Sequence, residues 1–219
     1  MALPSIAAYE MPTATDHIAN RVEWSLDPRR AVLLVHDLQE HFIGAFESTG
    51  GGPADVAISN VHRLREAADA AGMPVVYTAQ PPQQQPEDRG LLSDFWGPGL
   101  QTDDSARIVA AVAPRDHDVL LTKWRYNAFI RTPLLDLLRD WGRDQIVVVG
   151  VYAHIGVLLT AADAFMHDIA PFVVSDAVAD FSREHHVQAL DYAAERCATV
   201  LTTEAAVDAV AAAEAVTGR

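Results

Sequence analysis

Fifteen arginines and one lysine are the fixed cations of this chain of 219 residues. The lysine, Lys123, directly follows the apolar run Val119-Leu-Leu-Thr122 and precedes Trp124, Arg125 and Tyr126. Arginine stays charged and presents a broad planar fork, whereas lysine is a compact point charge whose protonation responds to its surroundings. A chain that uses arginine almost everywhere and keeps one ammonium at the end of a hydrophobic run marks Lys123 as a candidate for chemistry, against the plainer reading of a compositional accident. Asp37 occupies the same kind of position, directly after Val32-Leu-Leu-Val-His36. An apolar approach favours a perturbed carboxyl, although aspartate at such a junction also serves as a helix cap. Gln80 ends another apolar run, where it meets either a substrate or the loop backbone. Tyr152-Ala-His-Ile-Gly156 follows a fourth.

Elements that bring such ends together are legible as a strict alternation. Short runs rich in Val, Ile and Leu predict strands over 31–36, 74–79, 118–122, 145–150, 171–175 and 199–202, as expected of parallel strands covered on both faces. Helices are predicted over 54–71, 105–112, 133–141, 156–167, 183–196 and 204–216. Such alternation implies right-handed crossovers and a three-layer α/β/α fold around a six-stranded, mostly parallel, Rossmann-like sheet. Length suggests one domain, 1–219, with residues 1–29 as an irregular arm. In such sheets the reactive groups gather at the carboxyl ends of the strands, so Asp37, Gln80, Lys123 and the Tyr152–Gly156 turn are expected around one cleft. His36, one residue before Asp37, is expected on the opposite face and structural. His185 and His186 are expected to be solvated. Two segments break the rhythm: Pro81–Gly99, long enough to be a binding loop or lid, and the glycine-rich Gly44–Pro53, read as mobile.

Bulk properties narrow the function classes. A formal net charge of −14 argues against nucleic acid and anionic membranes as partners. An anionic substrate would need a local cluster of cations to overcome that field, and Lys123, Arg125 and Arg89 are the candidates. The single cysteine, Cys197, allows no internal disulfide. With no signal peptide and no bilayer-length apolar run read from the sequence, a cytoplasmic location is expected. No residues show the spacing of a strong zinc site.

Six motifs then occur in order: Val35-His-Asp-Leu-Gln39, Tyr77-Thr-Ala-Gln-Pro81, Phe95-Trp-Gly-Pro-Gly99, Lys123-Trp-Arg-Tyr126, Gly150-Val-Tyr-Ala-His-Ile-Gly156 and Ala179-Asp-Phe-Ser182. With these, and from Ala8-Tyr-Glu-Met-Pro12 to Cys197-Ala-Thr-Val-Leu-Thr-Thr-Glu204, the chain resembles the isochorismatase-like hydrolases. That superfamily includes cysteine hydrolases with an Asp, Lys, Cys triad. Asp37 and Lys123 match the first two, while the cysteine position is filled by Gly156. Glycine supplies no nucleophile, so an acyl-enzyme route is closed, and Cys197 is expected at the opposite end of the sheet.

The branch it resembles hydrolyses vinyl ethers, releasing pyruvate from isochorismate or 2-amino-2-deoxyisochorismate. The resemblance thus implies a small anionic chorismate-derived substrate, a homodimer, and no cofactor or metal. It casts Asp37 as the acid that protonates the vinyl methylene and Lys123 mainly as a charge for a substrate carboxylate or ring substituent. Arg89 and Gln80 would contact substrate, Tyr152 and the backbone near Gly156 would hold its other polar groups, and Phe42 and Trp96 would wall the cleft. Residues 179–186 and 189–197 are similar to phenazine-pathway members, which give trans-2,3-dihydro-3-hydroxyanthranilate from the amino compound. Ala164-Phe-Met-His-Asp-Ile169 is similar to the siderophore branch, which acts on isochorismate. The amino substrate is the expectation, an isochorismatase giving 2,3-dihydro-2,3-dihydroxybenzoate the alternative, and a non-catalytic binding module the competing class.

Overall fold

The structure is a computed structural model that describes residues 3–47 and 50–217, with side chains described through Ala213. Ser48 and Thr49, within the glycine-rich segment, lie outside the described residues. Six strands form one all-parallel sheet: β1 (Ala31–His36), β2 (Val75–Ala79), β3 (Val119–Thr122), β4 (Gln145–Val151), β5 (Ala170–Ala179) and β6 (Thr199–Leu201). Their spatial order is β3-β2-β1-β4-β5-β6. The winding therefore reverses between β1 and β4, and the crevice beyond their carboxyl ends is where such sheets hold ligands.

Strand periodicity explains the layers. All six residues of β1 are buried. Leu33 and Val35 face one cluster while Val32 and Leu34 face the other, because successive side chains of an extended strand point to opposite faces. On the first face lie α2 (Pro53–Ala70) and α9 (Thr203–Thr217), through Ala57, Val61, Leu64, Ala206 and Val210. On the second lie α6 (Leu134–Asp140), α7 (Leu158–Met166) and α8 (Arg183–Arg196), through Leu134, Leu138, Ala161, Ala164, Ala189 and Leu190. Single-turn helices α1 (Glu40–Ile43), α3 (Pro86–Arg89), α4 (Leu92–Trp96) and α5 (Asp103–Ala106) sit in the connections. Residues 3–30 form neither helix nor a strand of the sheet, and Ile6 bridges Phe46 at one point. Among the described residues no helix is long and apolar enough to cross a membrane.

The three-layer α/β expectation is borne out, with the sheet wholly parallel. Three local expectations are corrected. The helix predicted over 105–112 is broken in the middle: α5 ends at Ala106 and a separate 3-10 turn occupies Ala110–Val112. Glu40 donates to Arg107 O and Val109 to Leu38 O, at 2.8 and 2.9 Å. Tertiary hydrogen bonds to the segment after β1 thus hold residues 107–109 extended between the two turns, and Ile108 bridges Gln39. β5 runs past the predicted stop at Ser175 to Ala179, and the Asp176 carboxylate within it accepts from the Thr203 N–H and hydroxyl at 2.7 and 2.8 Å. His186 is buried rather than solvated: its Nε2 lies 2.9 Å from Ser175 O and its Nδ1 3.1 Å from the Tyr9 hydroxyl. His185, its neighbour on α8, is exposed.

Burial pushes the His186 imidazole down from 6.5 to about 4. The unfolded chain therefore binds a proton that the fold excludes, and the stabilisation from this residue, complete above pH 6.5, is lost as pH falls towards 4. Urea unfolding across that window should show stability declining with acidity, with a shallower slope in His186→Gln by up to about one proton. An unchanged slope would contradict the buried, neutral imidazole.

Candidate active site

The site begins where β1 ends. Asp37 has φ 50°, a left-handed conformation that aspartate tolerates better than most residues. It breaks strand alternation, so His36 and Asp37 both line one cavity, and the expectation that His36 faces away is corrected. Neighbouring strands complete the cluster. Lys123 follows β3 and its Nζ lies 2.6 Å from Asp37 Oδ2. Thr78 on β2, between them, donates from Oγ1 to Asp37 Oδ1 at 2.7 Å. Both charged residues are buried, Asp37 4% and Lys123 1% exposed.

Burial alone would raise the Asp37 carboxyl. The Lys123 ammonium outweighs it, helped by His36 and Thr78, and holds the group below the ordinary carboxylate value. In the free site Asp37 is a carboxylate. The sequence reading gave Lys123 mainly to substrate; here it pairs with Asp37. An ammonium has three N–H donors, and Asp37 is its one hydrogen-bond partner among the described residues. Two donors remain for a ligand.

Asp37, Lys123, Gln80, Arg89, Tyr152, Gly156, Phe42 and Trp96 line this same cavity. Arg89 comes from the long loop, which contains α3 and α4. Its guanidinium is buried, donating from Nε to Gly97 O and from Nη1 to Gln80 Oε1, both at 3.0 Å. Among the described residues it has no carboxylate partner. A buried guanidinium facing a cavity without a counter-ion suits a carboxylate ligand. Gln80 is itself held by Gln39, whose Oε1 accepts from the Gln80 N–H at 2.8 Å. Arg125, the third candidate cation, turns instead to Asp88 O at 2.7 Å and braces the loop.

The opposite wall is β4 and its exit. A π-helical turn, Ala153–Val157, carries Gly156, and the Val151–Tyr152 peptide is cis. The Tyr152 hydroxyl donates to Phe42 O at 3.0 Å, and its ring packs against Phe42, Phe46 and Phe181. Tyr152 thus contributes an aromatic wall more than a polar contact. Trp96 donates to the Tyr126 hydroxyl at 2.6 Å and packs edge-on against Phe181.

Thr78, Tyr126, Phe181 and His36 are members of the site that the sequence reading missed. The Lys123-Trp-Arg-Tyr126 and Ala179-Asp-Phe-Ser182 motifs were signals for two of them. Phe181 is held by Asp180, whose carboxylate accepts from the His154 and Phe181 N–H groups at 2.6 and 2.7 Å. Cys197 precedes β6, away from the carboxyl ends of the strands, and burial pushes its thiol up to about 11, which makes it unreactive. One carboxylate–imidazole group among the described residues, Asp69, His117 and Asp118, has ligand atoms within 4.8 Å of one another. It lies before β3, at the far end of the sheet, where Arg115 pairs with Asp69 and Arg65 with Asp118.

Removing one member of a buried ion pair strands the other, at about 3–5 kcal/mol. Lys123→Met should lose about that much in urea unfolding at pH 7. Asp37→Asn/Lys123→Met, which buries no lone charge, should recover a large part of it. Equal stability of the two variants would show that the pair carries little electrostatic coupling.

The isochorismatase domain family matches residues 31–205. The chain is 52% identical over 209 residues to an isochorismatase of Bacillus subtilis (strain 168), covering 95% of this chain and 67% of that protein. It is 50% identical over 203 residues to the phenazine biosynthesis protein PhzD of Pseudomonas fluorescens, covering 92% and 97% of the two chains. A crystal structure of a cysteine hydrolase from Pseudomonas syringae pv. phaseolicola 1448A shares the fold, with a TM-score of 0.77 at 22% identity over 88% of this chain and 97% of the other. The chain belongs to the isochorismatase family of hydrolases.

Proposed function

We propose that the protein hydrolyses the enolpyruvyl vinyl ether of 2-amino-2-deoxyisochorismate, giving trans-2,3-dihydro-3-hydroxyanthranilate and pyruvate. The observation that carries the reading is a buried carboxyl, Asp37, in a cavity with a counter-ion-free Arg89, while the turn where a thiol nucleophile would stand holds glycine. Asp37 donates a proton to the methylene carbon, forming the new C–H bond and an oxocarbenium ion. Water adds its oxygen to that cation and gives up a proton to the Asp37 carboxylate. The hemiketal then breaks its C–O bond to the ring as its hydroxyl proton passes to the departing oxygen, yielding the ketone of pyruvate and the ring hydroxyl.

Asp37 must be protonated at that moment, although it is a carboxylate in the free site. Substrate binding supplies the change. A substrate carboxylate that takes the free donors of Lys123 weakens its hold on Asp37, adds negative charge beside it, and displaces water, and all three raise a carboxyl pKa. Arg89 anchors a carboxylate, and Phe42, Trp96 and Tyr152 wall the cavity and restrict the water that reaches the cation. An isochorismatase reaction on the hydroxyl analogue is the second reading, favoured by the 52% identity to the Bacillus subtilis isochorismatase. The homodimer and the cytoplasm remain part of the proposal. Leu159, Phe165 and Met166 leave an apolar face exposed on α7 that suits a second subunit.

Pyruvate release, coupled to lactate dehydrogenase, tests the assignment. Asp37→Asn should lower kcat by ~10²–10⁴-fold with folding intact, and near-wild-type turnover would refute the acid role. Arg89→Met should raise KM by on the order of 10–100-fold, the value of a lost hydrogen bond to a charged group. Parallel kinetics on the two compounds decide the substrate, and a higher kcat/KM for isochorismate would reverse the choice.

A further inference from the structure

Gly156 stands where the resemblance would place a nucleophile. Its surroundings give it a cause. A Cβ at this position would lie 2.0 Å from Cε1, 2.6 Å from Nε2 and 2.9 Å from Nδ1 of His36. The backbone at Gly156 is not in the left-handed region, so its conformation is open to any residue and only space demands glycine. Space is what His36 has taken. Its ring is 1% exposed and lies between two backbone carbonyls, with Nδ1 2.8 Å from Val151 O and Nε2 3.1 Å from Tyr126 O. On its own strand it is followed by Asp37, whose Oδ2 lies 3.9 Å from Nδ1. The backbone of His36 is equally confined, since a Cβ at Gly150 would meet His36 O at 2.1 Å.

We propose that His36 is a positioning residue: its imidazole fills the volume that a nucleophile at 156 would need and so braces the Asp37 carboxyl against Lys123. The exclusion of a thiol and the setting of the acid are then one structural decision. A site with His36 in this rotamer has no room for a side chain at 156, and restoring a cysteine there displaces the ring that fixes Asp37. The proposal rests on the reading of Asp37 as the acid, but its steric half does not.

Four proteins test it: the wild type, Gly156→Ala, His36→Asn and the double variant. The asparagine substitution keeps an amide donor toward Val151 O while vacating the Cε1 and Nε2 positions. Gly156→Ala should lower Tm by on the order of 5 °C through overpacking. In the His36→Asn background the same change should shift Tm by less than about 2 °C, a non-additivity diagnostic of contact. His36→Asn alone should cut kcat by ~10–10²-fold with KM within about twofold, as a misplaced but still present acid would. Additive Tm shifts would overturn the steric pairing, and an unchanged kcat in folded His36→Asn would overturn the positioning role. Should His36→Asn not fold, His36→Val is judged by the same two criteria. Absence of pyruvate release by the wild type on either substrate would sink the functional reading alone, because the Tm coupling is read without turnover.

Discussion

A buried ion pair sets the terms for this molecule. Asp37 and Lys123 both lie out of water and 2.6 Å apart, and each would be costly to bury without the other. Placing them requires three adjacent strands to end at one level, β1 for the carboxylate, β2 for Thr78, which donates to its second oxygen, and β3 for the ammonium. The positive φ at Asp37 is what lets the carboxylate turn into the crevice instead of continuing along β1. In the proposed reaction a substrate that competes for the cation couples binding to protonation of Asp37.

The rest of the site follows from charge. A chain with a net charge of −14 repels anions at long range, yet within the cavity the local balance differs. Arg89 has its charge uncompensated by any carboxylate of the described residues, and Lys123 retains free donors. The loop that delivers Arg89 is ordered by that same guanidinium, which ties Gly97 O to Gln80. The proposed carboxylate anchor and the order of the loop therefore share one side chain. Around these cations the Phe42, Tyr152, Phe181 and Trp96 rings pack against one another, keeping the local dielectric low and the charges effective.

Much of this was legible from strand ends alone. Asp37, Gln80 and Lys123 each terminate an apolar run, and a parallel sheet has no choice but to present such ends at one edge. The failures have a common physical origin. His36 was assigned to the wrong side because alternation assumes extended backbone, and the chain leaves that region at Asp37. Ser105–Val112 reads as one helix because its local propensity is unopposed in sequence, while Arg107 O and the Val109 N–H are claimed by Glu40 and Leu38 and break it in the middle. His186 looked solvated at a helix start, but partners 11 and 177 residues away bury it.

The sequence by itself determined the architecture and the ends at which chemistry gathers, because these depend on periodicity and residue type, which are local; that 156 is a nucleophile's place filled by glycine came from the family resemblance of its motifs. Tertiary structure decided the relations between side chains. It paired Lys123 with Asp37, spent the Tyr152 hydroxyl on Phe42 O, and placed the His36 ring over Gly156. Those relations depend on distances of a few ångströms between residues about 90 to 120 positions apart in the chain, a range at which no sequence periodicity carries information.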